Sequence, residues 1–302
     1  MMRGSSVWIN GKFVPGESAT VPILSHGFSR GSAMFEIFRI HEGPDGPAAF
    51  RMDEHMKRLM KSARLLGMEM AYTLDEIAGA VRETVRQNAI TQGLIKIFAY
   101  WSEEAVTQLV LSSKLDLAVF AVPDSPQIQL DKDAPISACI SKWRKLHPET
   151  VPVEAKACAN YLNGYLARKD AMTRGYDTGI MLGTDGFVTE GATESLFMVK
   201  NGILKVPPLG RVLSSITRMC VQEIAACLGI ETIEAALIAE DLYQADELFV
   251  SYTGTKVSPI HRFEDRHLDA PGPVTQRIKS RMQKIIGFQD ETFDHWFQYM
   301  AE

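Results

Sequence analysis

Three segments of this chain carry side chains whose type and setting could do chemistry. In Pro152-Val153-Glu154-Ala155-Lys156-Ala157-Cys158-Ala159-Asn160-Tyr161, a lysine stands among small apolar residues just ahead of a predicted helix. Such surroundings desolvate an ammonium and lower its pKa, the condition under which a lysine attacks an aldehyde. A solvated lysine on a helix shoulder is the plainer alternative. In Gly186-Phe187-Val188-Thr189-Glu190-Gly191-Ala192, a carboxylate emerges from an apolar strand and needs a positive partner, and the small residues beyond it let something flat approach. Leu213-Ser214-Ser215-Ile216-Thr217-Arg218 opens a helix with hydroxyls and backbone N–H groups, a ready seat for a phosphate. Capping alone would also account for the serines.

Other chemistries lack their signatures. No G-x-G-x-x-G opens a helix and there is no G-x-x-x-x-G-K-[ST], so neither dinucleotide nor P-loop binding is signalled. No G-x-S-x-G elbow marks a serine hydrolase. His26, His41, His55, His147, His261, His267 and His295 form no H-E-x-x-H and no closely spaced ligand set, so no metal site is expected. Cys139, Cys158, Cys220 and Cys227 make no C-x-x-C pair and read as reduced core thiols.

The chain that must position these residues has 302 of them, enough for two domains with substantial cores. With 32 basic against 37 acidic residues it has a net charge of −5 and offers no basic stripe for nucleic acid, while an anionic small molecule stays open. Its apolar runs, such as Leu94 to Trp101 and Leu115 to Pro123, are too short to span a bilayer. The N-terminus lacks the apolar stretch of a signal peptide, so the cytoplasm is the expected location.

Local signals order the elements. Asn10-Gly11 between two apolar pairs predicts a type I′ hairpin. Met56, Leu59, Met60, Ala63 and Leu66 fall at helical spacing ahead of Gly67. Thr73-Leu74-Asp75-Glu76 is a capping box that starts a second helix. Gly93 to Trp101 and Gln108 to Val122 read as β runs, and Pro123-Asp124-Ser125-Pro126 as a domain boundary. Beyond it we expect a strand over Ile136 to Trp143 and a helix over Asn160 to Thr173 ended by Gly175. Hairpins turn at Thr184-Asp185-Gly186 and Asn201-Gly202, and a last helix runs from Ile216 to Leu228 ahead of Gly229. Strands interleaved with helices and hairpins predict an α+β chain rather than a doubly wound sheet. The expected division is a small α/β domain over 1–122, a linker over 123–133 and a larger β-rich domain over 134–302.

Taken together, four ordered motifs resemble the class IV aminotransferases, the fold-type IV pyridoxal-phosphate enzymes that include branched-chain and D-amino-acid aminotransferases. They are V-P-x-E-A-K-A-x-x-N-Y-L around Lys156, E-G-x-x-E-x-L-F from Glu190, V-L-x-x-I-T-R ending at Arg218, and S-x-T-G-T-x-x-S-P-I from Ser251. Ser25-His26-Gly27-Phe28, Met34-Phe35-Glu36 and Glu54-His55-Met56-Lys57-Arg58-Leu59 extend the likeness toward the N-terminus. Gly272-Pro273-Val274-Thr275 and Asp294-His295-Trp296 look like the branched-chain branch.

The resemblance implies roles. Lys156 would be the Schiff-base lysine of the larger domain and the proton shuttle. Glu190 would face the pyridine nitrogen and Tyr161 the ring's phenolic oxygen, with Ser195 keeping a hydrogen-bonding side chain where asparagine is usual. Arg58, the backbone of Ile216 and Thr217, and the hydroxyls of Thr217 and Thr253 would hold the phosphate. Gly254 and Thr255 would present amides to the substrate α-carboxylate, with Phe35 and Trp143 on the substrate side; core packing is the other reading of Trp143. Lys256, where glutamate is frequent, would face solvent. The reaction would be ping-pong transfer between an L-branched-chain or other apolar amino acid and 2-oxoglutarate, in at least a homodimer with its cofactor between the domains. A D-amino-acid or (R)-amine aminotransferase, or 4-amino-4-deoxychorismate lyase, shares the fold.

Two positions depart from the pattern. Arg30 stands where branched-chain enzymes commonly have tyrosine, and Lys96 where bacterial members often have arginine. The strand period puts Lys96 on one face with Leu94, Phe98 and Tyr100, an apolar wall carrying one cation. One of the two is expected to bind the distal carboxylate of the amino acceptor; the alternative for Arg30 is a surface carboxylate partner.

Overall fold

The computed structural model describes residues 4–125 and 134–300, and the expected linker falls outside them from 126 to 133. The chain divides into two compact units. The first comprises Met1–Ile128, Ala155–Ala159 and Glu291–Glu302, and the second Gln129–Glu154 and Asn160–Asp290.

The first unit opens with the hairpin of β1 (Ser6–Ile9) and β2 (Lys12–Pro15). Its turn residues Asn10 and Gly11 both take positive φ, at 47° and 87°, as a type I′ turn requires. The short helix α1 (His26–Arg30) precedes β3 (Met34–Gly43) and β4 (Gly46–Phe50). Helix α2 (Met52–Leu65) follows, and Gly67 at φ 66° ends it. Helix α3 (Leu74–Gln87) starts at Thr73, where the capping box forms in both directions. Strands β5 (Gly93–Tyr100) and β6 (Asp116–Pro123) complete an antiparallel sheet with the C-terminal strand Phe297–Tyr299 on the edge beside β4.

One face of this sheet is the core. Ile40, Ile95, Ile97, Leu117 and Val119 meet Met56 and Leu59 of α2 and Ile77 and Val81 of α3. The period of two sends Lys96, Phe98 and Tyr100 to the other face, where they are half-buried. The run from Gln108 to Lys114 is not strand: Leu115 makes a single bridge to Met70, and the ladder to β5 begins at Asp116. Its Leu109 and Val110 are 73% and 83% exposed. Apolar composition marks a segment as able to pair, but among the described residues this stretch finds only the one bridge at Leu115 and no ladder.

In the second unit, β7 (Ile136–Ile140) stops short of Trp143. Then come α4 (Tyr161–Thr173), β8 (Thr178–Ile180), β9 (Ser195–Lys200), β10 (Ile203–Val206) and α5 (Ile216–Cys227). They are followed by β11 (Thr232–Glu234), α6 (Ala239–Tyr243), β12 (Glu247–Ser251), β13 (Ser258–Phe263), β14 (Arg266–His267) and α7 (Pro273–Ile286). The sheet runs β11-β10-β9-β12-β13-β7-β8, with β14 on β13, and is parallel only at β10/β11, β7/β13 and β7/β8. Leu196, Met198, Leu248, Val250, Ile260 and Phe263 form its core. The Thr184-Asp185-Gly186 hairpin is reduced to a bridge between Leu182 and Val188. No helix among the described residues is long and apolar enough to cross a membrane.

Only two cysteines fit the reading as core thiols. Cys139 and Cys220 are buried, whereas Cys158 is half-buried and Cys227 exposed. Burial pushes the Cys139 thiol up to about 11.

Candidate active site

In the first unit, the segment Ala155–Ala159 lies along the start of β3. The Phe35 amide donates to the Lys156 carbonyl at 3.1 Å and the Cys158 amide to the Ala33 carbonyl at 2.7 Å. From α2, the Ser62 hydroxyl accepts the Lys156 amide at 3.0 Å. Lys156 is thus held by its backbone on both sides and is buried, with Nζ 4.8 Å from the Phe35 ring centroid. Lys96 Nζ lies 5.0 Å from the same ring and 4.6 Å from that of Phe98. Among the described residues no carboxylate pairs with Lys96, and burial pushes its ammonium pKa down. Phe98 also lines a cavity of about 460 Å³, with Phe28, Tyr100, Phe120 and Cys158.

Arg58 is buried one helical turn before Ser62. Its Nε and Nη2 reach the two oxygens of Glu36, each at 2.7 Å, and His55 Nδ1 lies 2.7 Å from Glu36 Oε2. Burial alone would raise the Glu36 carboxyl, but the Arg58 charge and the bonds from Arg58 and His55 outweigh it and bring it to about 2. Burial lowers His55 to about 4 against the pull of Glu36, so the ring is neutral at pH 7 and donates from Nδ1. Arg30 stands apart, exposed on α1, with Nη2 on the Val106 carbonyl at 3.1 Å. The surface-carboxylate alternative for it fails among the described residues, because a backbone carbonyl takes the guanidinium.

The second unit carries the other candidates. Glu190 is buried and has the positive partner its setting demanded: Lys145 Nζ lies 2.5 Å from Oε1. The Leu213 amide donates to Oε2 at 3.3 Å. Ile216 and Thr217 are buried in the first turn of α5, where the Ser215 hydroxyl caps the Arg218 amide at 3.2 Å. Arg218 turns to Glu234 at 2.7 Å; burial lowers its pKa against the pull of Glu234 and Glu190. Ser195 begins β9 opposite Ser251 of β12. Thr253-Gly254-Thr255 forms the turn after β12, tied by the Tyr252 and Thr255 hydroxyls at 2.7 Å. Tyr161 lines a hollow of about 340 Å³ with Ala192, Thr193 and Tyr252.

Two expectations fail here. Lys256 is 4% exposed rather than solvated, because its turn folds back with φ at 65° and carries it inward. Trp143 is 42% exposed, so it is no core residue; β7 has ended before it, and Lys142 lies over its ring at 5.8 Å.

Sequence reasoning passed over Lys145, Ser62 and the partners Glu36 and His55. Lys145 follows a predicted strand, but what brings it to Glu190 is tertiary: its amide pairs with the Leu182 carbonyl, one residue from Met181, which pairs with Glu190. Glu36 and His55 carried no local signal, because their meaning lies in contacts between β3 and α2.

A family model described as amino-transferase class IV matches residues 33–263. The branched-chain-amino-acid aminotransferase of Salmonella typhimurium is 35% identical over 97% of this chain and 96% of its own. The crystal structure of a branched-chain aminotransferase from Thermoproteus uzoniensis with norvaline superposes with a TM-score of 0.93 at 35% identity, covering 98% of this chain and 99% of that one. The T.th. branched-chain amino acid aminotransferase complexed with N-(5'-phosphopyridoxyl)-L-glutamate has a TM-score of 0.93 at 30% identity, over 100% of both chains.

Proposed function

Because the chain belongs to the class IV aminotransferases, we propose that it moves an amino group between an L-amino acid with an apolar, typically branched side chain and a 2-oxo acid such as 2-oxoglutarate. Pyridoxal 5'-phosphate is its cofactor. One observation carries the reading: likeness to branched-chain enzymes runs the length of both chains and extends to a structure holding a phosphopyridoxyl adduct of L-glutamate.

The residues present fit that group. It needs an amine, cations and amides for a phosphate, and an acceptor for a ring N–H, and this chain supplies Lys156, Arg58, the first turn of α5 and Glu190, all buried. When bound, pyridoxal phosphate supplies an electron sink for cleavage of the substrate Cα–H bond and a carrier for the amino group. Lys156 would hold it through Nζ, and the same atom would carry the proton. Glu190 holds the ring nitrogen protonated, and Tyr161 donates to the phenolic oxygen. Arg58, the amides of Ile216 and Thr217 and the hydroxyls of Thr217 and Thr253 bind the phosphate. Ser195 supports the ring through its hydroxyl.

Gly254 and Thr255 receive the α-carboxylate, and Phe35 and Trp143 take the side chain. Lys96 is favoured over Arg30 for the distal carboxylate of the acceptor, since it is half-buried beside two rings with no carboxylate partner among the described residues. A second copy of the chain would cover the exposed Ile23, Phe28, Leu109 and Val110 of the first unit, and the cytoplasm is its place of work.

The test uses holoenzyme and single amino donors without acceptor, following cofactor absorbance. Conversion to the pyridoxamine form by L-leucine is expected. Conversion only by D-alanine or an (R)-amine would overturn the stereochemical reading, and pyruvate release from aminodeoxychorismate without conversion would select the lyase.

A further inference from the structure

We propose that Glu36 is a positioning residue for the cofactor phosphate: its carboxylate sets the plane in which the Arg58 guanidinium meets that group. The inference rests on the reading of Arg58 as a phosphate ligand. Glu36 is 0% exposed and grips Nε and Nη2 with one oxygen each, at 2.7 Å. Such a fork fixes the orientation of a guanidinium as well as its place. His55, three residues before Arg58 on α2, in turn holds Glu36 through Nδ1 at 2.7 Å.

Stability alone does not account for this arrangement. A buried ion pair contributes little over well-packed apolar residues, so a pair of this kind is better explained by the geometry it imposes. That geometry extends to Lys156. Phe35, next to Glu36 on β3, donates to the Lys156 carbonyl, and Ser62, one turn beyond Arg58 on α2, accepts the Lys156 amide. The same strand and helix therefore hold both the guanidinium and the amine segment, and the spacing between the two is set by packed backbone.

The experiment compares the affinity of the full-length apoenzyme for pyridoxal phosphate and for pyridoxal, which has no phosphate. Glu36→Gln is expected to weaken pyridoxal phosphate about tenfold, the loss of one charge-assisted contact, with pyridoxal nearly unchanged. Arg58→Lys should show the same selectivity. Ser62→Ala should weaken both forms in parallel. Equal losses of both forms, or no loss, in Glu36→Gln overturn the proposal while a selective Arg58→Lys keeps the phosphate reading. An unselective Arg58→Lys overturns both. If circular dichroism shows that Glu36→Gln does not fold, Glu36→Asp decides in its place. It keeps the charge but falls one methylene short, and a phosphate-selective loss supports the proposal where a parallel loss or none overturns it.

Discussion

Each unit buries a glutamate against a cation, and the two glutamates are used differently. Glu36 is wholly enclosed and receives three bonds, two from Arg58 and one from His55. Glu190 receives two, from Lys145 at one oxygen and from the Leu213 amide at the other, at the longer distance of 3.3 Å. A carboxylate offers about four acceptor positions. The first is largely consumed in holding its neighbours, while the second keeps capacity for a ligand donor. A buried ion pair is therefore not one kind of object: the count and direction of its bonds separate a clamp from a binding group.

The sharpest way to break this distinction is to remove each carboxylate in turn. Glu36→Leu strands the Arg58 charge in the interior and should destabilise by about 3–5 kcal/mol, lowering Tm by roughly 10 °C. Glu190→Gln removes the counter-charge of Lys145 but keeps a neutral acceptor for it, and should lose about 1.5–3 kcal/mol of stability, yet reduce kcat about 100-fold or more. Thermal melts and steady-state rates on the two variants check the crossover. A Glu190 variant as unstable as the Glu36 variant would end the contrast.

Acid should act on the first unit through His55 and Glu36. His55 sits below its unfolded value of 6.5, at about 4, so the unfolded chain takes up its proton first. The stability it contributes is complete above 6.5 and is lost as pH falls from there to about 4. Glu36, lowered from 4.5 to about 2, adds a further loss across that lower window. Denaturation followed at stepped pH should show stability declining from near pH 6.5. His55→Asn, which retains a donor to Glu36 but does not titrate, should flatten the upper part of the decline.

The smallest effect concerns Lys96, half-buried between two rings with no carboxylate partner among the described residues. Lys96→Met should raise the KM for 2-oxoglutarate about tenfold with the KM for the apolar amino acid little changed, the loss of one ionic contact. An unchanged KM for 2-oxoglutarate in an active variant would remove Lys96 from acceptor binding and return attention to Arg30.

Much of the local architecture was legible in the residues. The Asn10-Gly11 turn, the Thr73 capping box and the glycine stops at Gly67, Gly175 and Gly229 all depend on backbone preferences within a few positions. Readings that depended on a neighbour distant in sequence went astray. Gln108 to Leu115 has strand-like residues but pairs only through a single bridge at Leu115, Lys256 is carried inward by its turn, and Trp143 lies past the end of β7. In the candidate site, Lys156 and Glu190 announced themselves by charge in apolar company, whereas Lys145, Glu36 and Ser62 did not.

The sequence by itself determined where the chain turns, which faces of its helices are apolar and which lysine and glutamate need compensation. Only the tertiary structure decided how that compensation is met. Glu36 and Arg58 are separated by 22 positions, and Lys156 and Ser62 by 94. Caps and turns are settled by torsions and hydrogen bonds within one stretch of backbone. A buried charge is settled through space, by whichever donors the folding of distant segments brings within about 3 Å, and that depends on register and packing over the whole unit.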